Sequence, residues 1–326
     1  MSQDSIILSS SRTAESSQAA SRGRIPLRRH NEPLQMETGI LDLNKTNLSL
    51  MWFEKDNAVA DFFPLIKAIE FRKHCTFVAN RQVLKIVVSD ECYQQAVVLI
   101  DASHFKEYHI HHEVQEVEFR ILMQDFMEGL NVFGRDDHSS VSVNYEHDST
   151  QVLFLRMKDS VFVKFAIKIH NEAPIIDFGF SDDVVQCRLQ INLRTNVLHD
   201  IIKDLDKSSQ TVLLVLTPNA VEFSTSGELG NVKVCIPKNS EIIDDYQLHA
   251  TEISWKYKIN LMQRMVPALH LCKRISIRID DQGTLQAQFY ADQLNGMQNF
   301  IEFYTVPDMS SNSSDSDQDI TVENVM

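Results

Sequence analysis

Residues 192–205 read NLRTNVLHDIIKDL, and their apolar side chains, Leu193, Val197, Leu198, Ile201, Ile202 and Leu205, fall on one helical stripe. Three other segments share the pattern. Residues 57–69 (NAVADFFPLIKAI) carry Val59, Phe62, Phe63, Ile66 and Ile69. Residues 123–133 (MQDFMEGLNVF) carry Phe126, Met127, Leu130 and Phe133, and Gly134 follows as a C-terminal stop. Residues 260–271 (NLMQRMVPALHL) carry Leu261, Met262, Met265, Val266 and Leu269. Pro64 and Pro267 must start, kink or shift the helices that contain them. The four segments begin near 57, 123, 192 and 260, roughly 67 residues apart, and such even spacing is the signature of an internal repeat.

Between these segments the apolar period falls to two, the strand signal. In 275–279 (ISIRI) the isoleucines share one face, Asp280-Asp281-Gln282-Gly283 turns the chain, and Leu285, Ala287 and Phe289 then alternate with polar residues. Runs of the same kind occupy 83–88, 139–146, 151–157, 161–169, 211–216 and 231–236. A helix followed by several short strands, four times over, predicts an α+β protein of two similar domains with two such units each. The expected domains are 46–170 and 183–308, joined by a connector at 171–182. Residues 1–45, rich in Ser and Arg, and the acidic residues 309–326 lack any apolar period and read as a disordered leader and tail.

Composition narrows the function classes. The chain has 326 residues, 43% hydrophobic and 23% charged, enough to build more than one core. Its 31 basic and 45 acidic side chains leave a net charge of −14, so the surface as a whole repels nucleic acid. Any DNA contact must come from a local basic face. The longest apolar runs resemble 96–100 and 212–216, far short of the roughly 18 residues of a membrane span. The first residues lack the basic region of a secretory signal. Cys75, Cys92, Cys187, Cys235 and Cys272 form an odd, scattered set without a CxxC pair, which argues for a reducing compartment and against a zinc module.

Several segments, in order and spacing, resemble one family. They are 65–72 (LIKAIEFR), 105–110 (FKEYHI), 131–134 (NVFG), 176–180 (IDFGF), 272–280 (CKRISIRID) and 300–308 (FIEFYTVPD). The family is that of the Rad-one (Rec-one) subunits of the nine-one-one DNA-damage checkpoint clamp, relatives of the replication clamp PCNA. Residues 223–233 (FSTSGELGNVK) are similar to a segment of PCNA itself. The resemblance covers about 47–308. It implies a DNA sliding-clamp fold, with two inner helices and curved antiparallel sheets in each domain. Three unlike subunits would close a ring around duplex DNA in the nucleus. A clamp loader would place it, and checkpoint and repair proteins would bind it. No cofactor is expected.

The resemblance also assigns roles to residues. The cations on or beside the helices, Lys67, Arg72, Lys73, Arg194, Lys203, Lys207, Lys258, Arg264, Lys273 and Arg274, are expected to face DNA phosphates without reading bases. The second helix departs from this pattern: its polar positions include Asp125, Glu128 and Asn131, with Arg120 and Arg135 only beyond its ends. In the connector, Pro174, Ile175, Ile176, Phe178 and Phe180 would border an apolar pocket for short aromatic-bearing partner peptides. Neighbouring subunits would join by edge-strand pairing through 151–158 (Val152, Phe154, Arg156) and 231–236 (Val232, Val234, Ile236).

A homotrimeric replication clamp and a 3′–5′ exonuclease are the alternatives. A two-metal nuclease needs clustered carboxylates. The pairs at 136–137, 182–183, 244–245 and 280–281 all lie in turn-like stretches, where Asp is favoured for its own backbone hydrogen bonds. His109, His111 and His112 beside Glu113 form the one metal-like cluster, read as a solvated strand end rather than a ligand set. No phosphate-binding glycine loop occurs. In the tails, Ser314 and Ser316 each precede an Asp by three residues, Ser17-Gln18 has the pattern of a damage-kinase site, and Arg22, Arg24, Arg28 and Arg29 form a basic patch suited to nuclear import.

Overall fold

Each of the four apolar stripes becomes helix, and each helix opens a run of strands. The computed structural model describes residues 49–90, 92–171, 175–192, 196–228, 230–292 and 298–310. The leader, its Ser17 and arginines, Ser314 and Ser316 of the tail, and Pro174 and Arg194 lie outside the described residues.

Strand β1 (Ser49–Lys55) leads into α1 (Ala58–Ala68), then β2 (His74–Asn80), β3 (Val83–Asp90) and β4 (Gln94–Asp101). After the short β5 (Glu107–Ile110), β6 (Glu116–Leu122) leads into α2 (Met123–Leu130), β7 (Val141–Glu146), β8 (Gln151–Lys158) and β9 (Val161–Lys168). The order then repeats: β10 (Val185–Asn192), α3 (Val197–Asp204), β11 (Thr211–Thr217), β12 (Ala220–Gly227) and β13 (Gly230–Pro237). A short β14 (Ile243–Leu248) precedes β15 (Ile253–Lys258), α4 (Ile259–Gln263), α5 (Val266–Leu269), β16 (Arg274–Asp280), β17 (Leu285–Asp292) and β18 (Gln298–Thr305). Strand, helix, three strands is therefore the repeating unit, with one extra strand in the middle of each half.

The two prolines act differently. The expected helix over 260–271 is split in two, and Pro267 sits in the first turn of α5, where a missing N–H has no helical partner to lose. Helix α1 runs through Pro64, held on either side by the buried Phe62, Leu65 and Ile66. Asn57 precedes α1 at φ 52°, a left-handed conformation that Asn tolerates better than most residues. The third helix starts at Val197 rather than 192, because β10 extends to Asn192.

Among the described residues three sheets form, with strand orders β5-β1-β7-β8-β9, β14-β10-β16-β17-β18-β4-β3-β2-β6 and β13-β12-β11-β15. The long sheet fuses the halves: β18 runs antiparallel to β4, from Phe300 opposite Leu99 to Thr305 opposite Gln94. Its β14-to-β18 portion corresponds strand for strand to β5-β1-β7-β8-β9, and its β4-β3-β2-β6 portion to β13-β12-β11-β15. The counterparts of the joined strands β18 and β4 are thus β9 and β13, which stand at free edges of their sheets.

This corrects one expectation. Strand β8 is no edge: it lies between β7 and β9, and Val152, Phe154 and Arg156 are all 0% exposed. The edge is its hairpin partner β9, because the turn at Asp159 (φ 54°) folds 161–168 to the outside. Strand β13 is at an edge as expected, with Val232 and Val234 half-buried and Ile236 buried.

One apolar core runs through both halves. In the first, Phe126 of α2 meets Phe62 of α1, Phe77 of β2 and Phe154 of β8, with ring centroids 6.3, 5.1 and 5.2 Å away. Aromatic contact thus fixes both helices on two sheets at once. In the second half, Leu198 and Ile202 of α3 and Met262, Met265 and Leu269 around α4 and α5 do this with aliphatic chains. Helix α1 touches α2 and α5, and α3 touches α4 and α5, so the helices form a continuous layer across the halves.

Candidate nucleic-acid and partner interfaces

The exposed side of the helical layer is less basic than its sequence promised. Lys203 in the last turn of α3 and Lys207 just beyond it are exposed, although Asp200 and Asp204 share their surroundings. Lys67 of α1 is exposed and paired with Glu70. Lys273 is exposed, and Arg274 beside it lies 3.5 Å from Asp244. The ammonium of Lys258 sits 4.1 Å over the Tyr93 ring. Helix α2 shows Gln124 and Glu128, hydrogen-bonded to each other at 2.7 Å, and has no basic residue.

Arg264 and Arg72 have another role. Arg264 donates to Asp90 at 2.5 Å and lies 4.9 Å over the Phe71 ring, while Arg72 donates to the other oxygen of the same carboxylate. Burial alone would raise the Asp90 pKa, but the hydrogen bonds and charges of Arg264 and Arg72 hold it below its ordinary value. Asp90 therefore ties the end of β3 to the loop after α1 and to the break between α4 and α5. Arg264, only 22% exposed, belongs to this tie and is withdrawn from the helix surface.

The connector lies on the long sheet's other face, away from the helices. There Val78, Val87 and Val97 make a small apolar cluster separate from the main core, with Leu99, Ile175 and Tyr304 packed on it. Phe178 stacks on Tyr304 at 6.1 Å, Phe180 meets the same ring edge-on at 6.2 Å, and the Arg278 guanidinium lies 5.4 Å from Phe180. The connector aromatics are thus partly packed down. A groove of about 490 Å³ remains between connector and sheet. Its floor is apolar, and its walls include Glu116, Glu118, Asp177 and Glu302 against Lys85, the one cation among the described lining residues.

Past Ile175 and Ile176 the same sheet face opens into a second cavity of about 760 Å³, into which Arg72, Lys73, His74 and Arg120 project together with Ser89 and Cys92. Arg72 and Lys73, expected on the helix side, therefore turn to the connector side, because the loop after α1 crosses to the start of β2. His74, Cys92 and Arg120 had no assigned role in the sequence. The alternation of 74, 76, 118 and 120 on one sheet face is the signal that could have grouped them with the connector.

In three of the carboxylate pairs at least one member is engaged within the fold. Asp137 is buried against Arg156, with Lys158 at 3.3 Å and Ser139 also donating to it. Asp280 accepts the backbone N–H of Gln282 at 3.0 Å and of Thr284 at 2.7 Å, closing the hairpin turn. Asp245 accepts from the Gln247 amide at 3.1 Å, and the N–H of Asp183 points to Ser181 Oγ at 3.4 Å. Among the described residues, no group of three or more His, Cys, Asp and Glu side chains is placed to hold a metal ion, and no helix is long and apolar enough to cross a membrane. The rings of His111 and His112 lie 4.4 Å apart at the exposed end of β5, where the His112 carbonyl accepts from Arg81 at 2.8 Å.

Comparison with known proteins agrees with this geometry. Residues 53–291 match the model of a family described as repair protein Rad1/Rec1/Rad17. The chain is 30% identical over 271 residues to the cell cycle checkpoint protein RAD1 homolog mrt-2 of Caenorhabditis elegans, covering 82% of this chain and 98% of that protein. It is 27% identical over 265 residues to the human cell cycle checkpoint protein RAD1, covering 79% and 92%. Among solved structures, PCNA from Thermococcus kodakaraensis superposes with a TM-score of 0.63 at 13% identity, over 79% of this chain and all of that one. The PCNA2–PCNA3 complex of Sulfolobus tokodaii superposes with a TM-score of 0.62 at 16% identity, over 79% and 99%. The fold is that of the sliding clamps.

Proposed function

The chain belongs to the Rad1/Rec1/Rad17 family of repair proteins, and from that membership we propose that it is a non-catalytic subunit of a heterotrimeric checkpoint clamp that encircles DNA. The observation that carries this reading is the junction of β18 with β4 inside the chain. The repeat makes β9 and β13 the counterparts of those two strands, and both are unpaired on one side. Pairing β9 of one subunit with β13 of the next continues between chains the joint that already links the halves within one. It also removes two sheet edges that otherwise invite aggregation.

Unlike partners are favoured over self-assembly by the uneven helix surface, where α2 offers Gln124 and Glu128 and the cations gather near α3. Lys203 and Lys207 are the leading phosphate contacts, with Lys67 and Lys273 in support, and such contacts are independent of base sequence. A loader supplies ring opening, since no nucleotide-binding loop is present in the sequence. The connector groove receives short peptides of checkpoint and repair proteins in the nucleus. Its apolar floor suits aromatic anchors and its acidic walls suit basic flanking residues.

The edge is tested directly by substitution. Val161 and Phe162 are 58% and 54% exposed at the start of β9, and Phe162 faces Met157 of β8, 45% exposed. Phe162→Glu is expected to leave the thermal midpoint within a few degrees, as surface changes do. It is expected to abolish co-purification with the partner subunits. Retained assembly would refute pairing through β9.

A further inference from the structure

The cavity beside the connector, with Lys73, His74 and Arg120, has no part in the reading above. Val87, Ile175 and Ile176 line both this cavity and the connector groove. No carboxylate lines it among the described residues; Glu91 and Glu172, near it in sequence, lie outside them. Asp90, next in sequence to the cavity-lining Ser89, is held by Arg72 and Arg264. The His74 pKa is lowered first by burial and then by Arg120, His170 and Lys73, which marks a positive local field. His170 stands 4.9 Å from His74, ring to ring. A cavity of this sign and size favours an anionic, extended occupant.

The chain carries such a segment in its sequence beyond β18. Beyond β18 the N–H of Val306 donates to the Tyr93 carbonyl at 3.1 Å, one residue from the cavity-lining Cys92. The residues after Ser310 read SNSSDSDQDITVENVM, with Asp315, Asp317, Asp319 and Glu323, no basic residue, and Ile320 and Val322 among the acids. The N–H of Asp308 donates to the Lys256 carbonyl at 2.7 Å, so the span that can reach the cavity starts at Ser310, and from there to Asp319 an extended chain covers about 30 Å. We propose that residues 311–326 dock in this cavity of their own chain, their carboxylates against Lys73, Arg120 and Arg72, and Ile320 and Val322 against Ile175 and Ile176. Tethering raises the local concentration of the segment to the millimolar range, so individually weak charge contacts are enough. Phosphorylation of Ser314 or Ser316 would add about −1.5 to −2 charges each and tighten the contact. The docked segment sits across the connector residues that a partner peptide would use.

Cysteine reactivity supplies the test. Cys75, Cys187 and Cys272 are buried and Cys92 and Cys235 exposed, so in the full chain carrying Cys235→Ser the exposed thiol is Cys92, in the cavity wall. Its rate of reaction with the neutral reagent 4,4′-dithiodipyridine is expected to rise on the order of tenfold when Asp315, Asp317, Asp319 and Glu323 become Asn or Gln. Lys73→Gln with Arg120→Gln is expected to raise it as much, and the combined set no further, because both remove one contact. In the chain carrying Cys92→Ser, the rate at Cys235 on β13 is expected to stay constant throughout. Equal Cys92 rates in the natural and tail-neutralised chains would overturn the proposal. Effects of the two sets that add, or a slower reaction on removing the cations, would also overturn it, since they would show field effects on the thiol without docking.

Discussion

Asp90 sits where three stretches of chain meet, and its two arginines show how far a residue's type falls short of its role. In the sequence Arg72 and Arg264 are cations beside helices; in the structure both are hydrogen-bonded to one carboxylate. Asp90→Asn is expected to destabilise the chain at neutral pH by about 1–3 kcal/mol, toward the lower end because Arg72 is half exposed. The sign of the pH dependence follows from the lowered pKa. The carboxylate contributes fully above its unfolded value near 3.9, and the contribution is lost as pH falls through the folded value. Denaturant titrations of both chains should therefore converge below about pH 4. A constant difference across that range would mean the tie is not ionic. Arg156 is a similar case: its alternating position marked a strand face, but only the fold shows it sealed against Asp137.

At the scale of elements, helices and strands were largely legible, because periods of 3.6 and 2 are local properties. All four stripes became helix, the fourth split at Arg264–Met265 just before Pro267, and each alternating run became a strand. Which strand forms an edge was not legible. Strands β8 and β9 alternate alike, and only the pairing order shows that β9 is outermost. The cavity near the connector was hidden for a similar reason, since its walls come from β2, β3, β6 and three loops. One helix position connects to the edge. A Cβ on Gly129 in α2 would collide with the Phe165 ring of β9, a ring stacked at 5.4 Å on Phe154. Gly129→Ala, which would favour an exposed helix by about 1 kcal/mol, is instead expected to destabilise by about 1–2 kcal/mol through overpacking. It should also weaken subunit assembly by displacing β9. A higher melting temperature with unchanged assembly would show that Phe165 moves aside freely.

For the molecule as a whole, two halves of one design are joined in the same way that β9 and β13 are free to join neighbours. A chain with net charge −14 can hold DNA only if its few available cations converge inside such an assembly. Lys203→Glu together with Lys207→Glu is expected to lower retention of the assembled clamp on duplex DNA by on the order of tenfold. It should also reduce the slope of log affinity against log salt by about 2. Unchanged retention and slope would move the DNA contact away from α3. Adding Arg264→Glu would confuse this test, because that residue supports the fold.

The most direct measurement is the native mass and composition of the particle this chain forms in a nuclear extract, by light scattering with peptide identification. A clamp subunit of the proposed kind predicts a particle near three times 37.4 kDa that contains two other clamp-like chains. A particle of that mass built from this chain alone, or a free monomer, would contradict the heterotrimer.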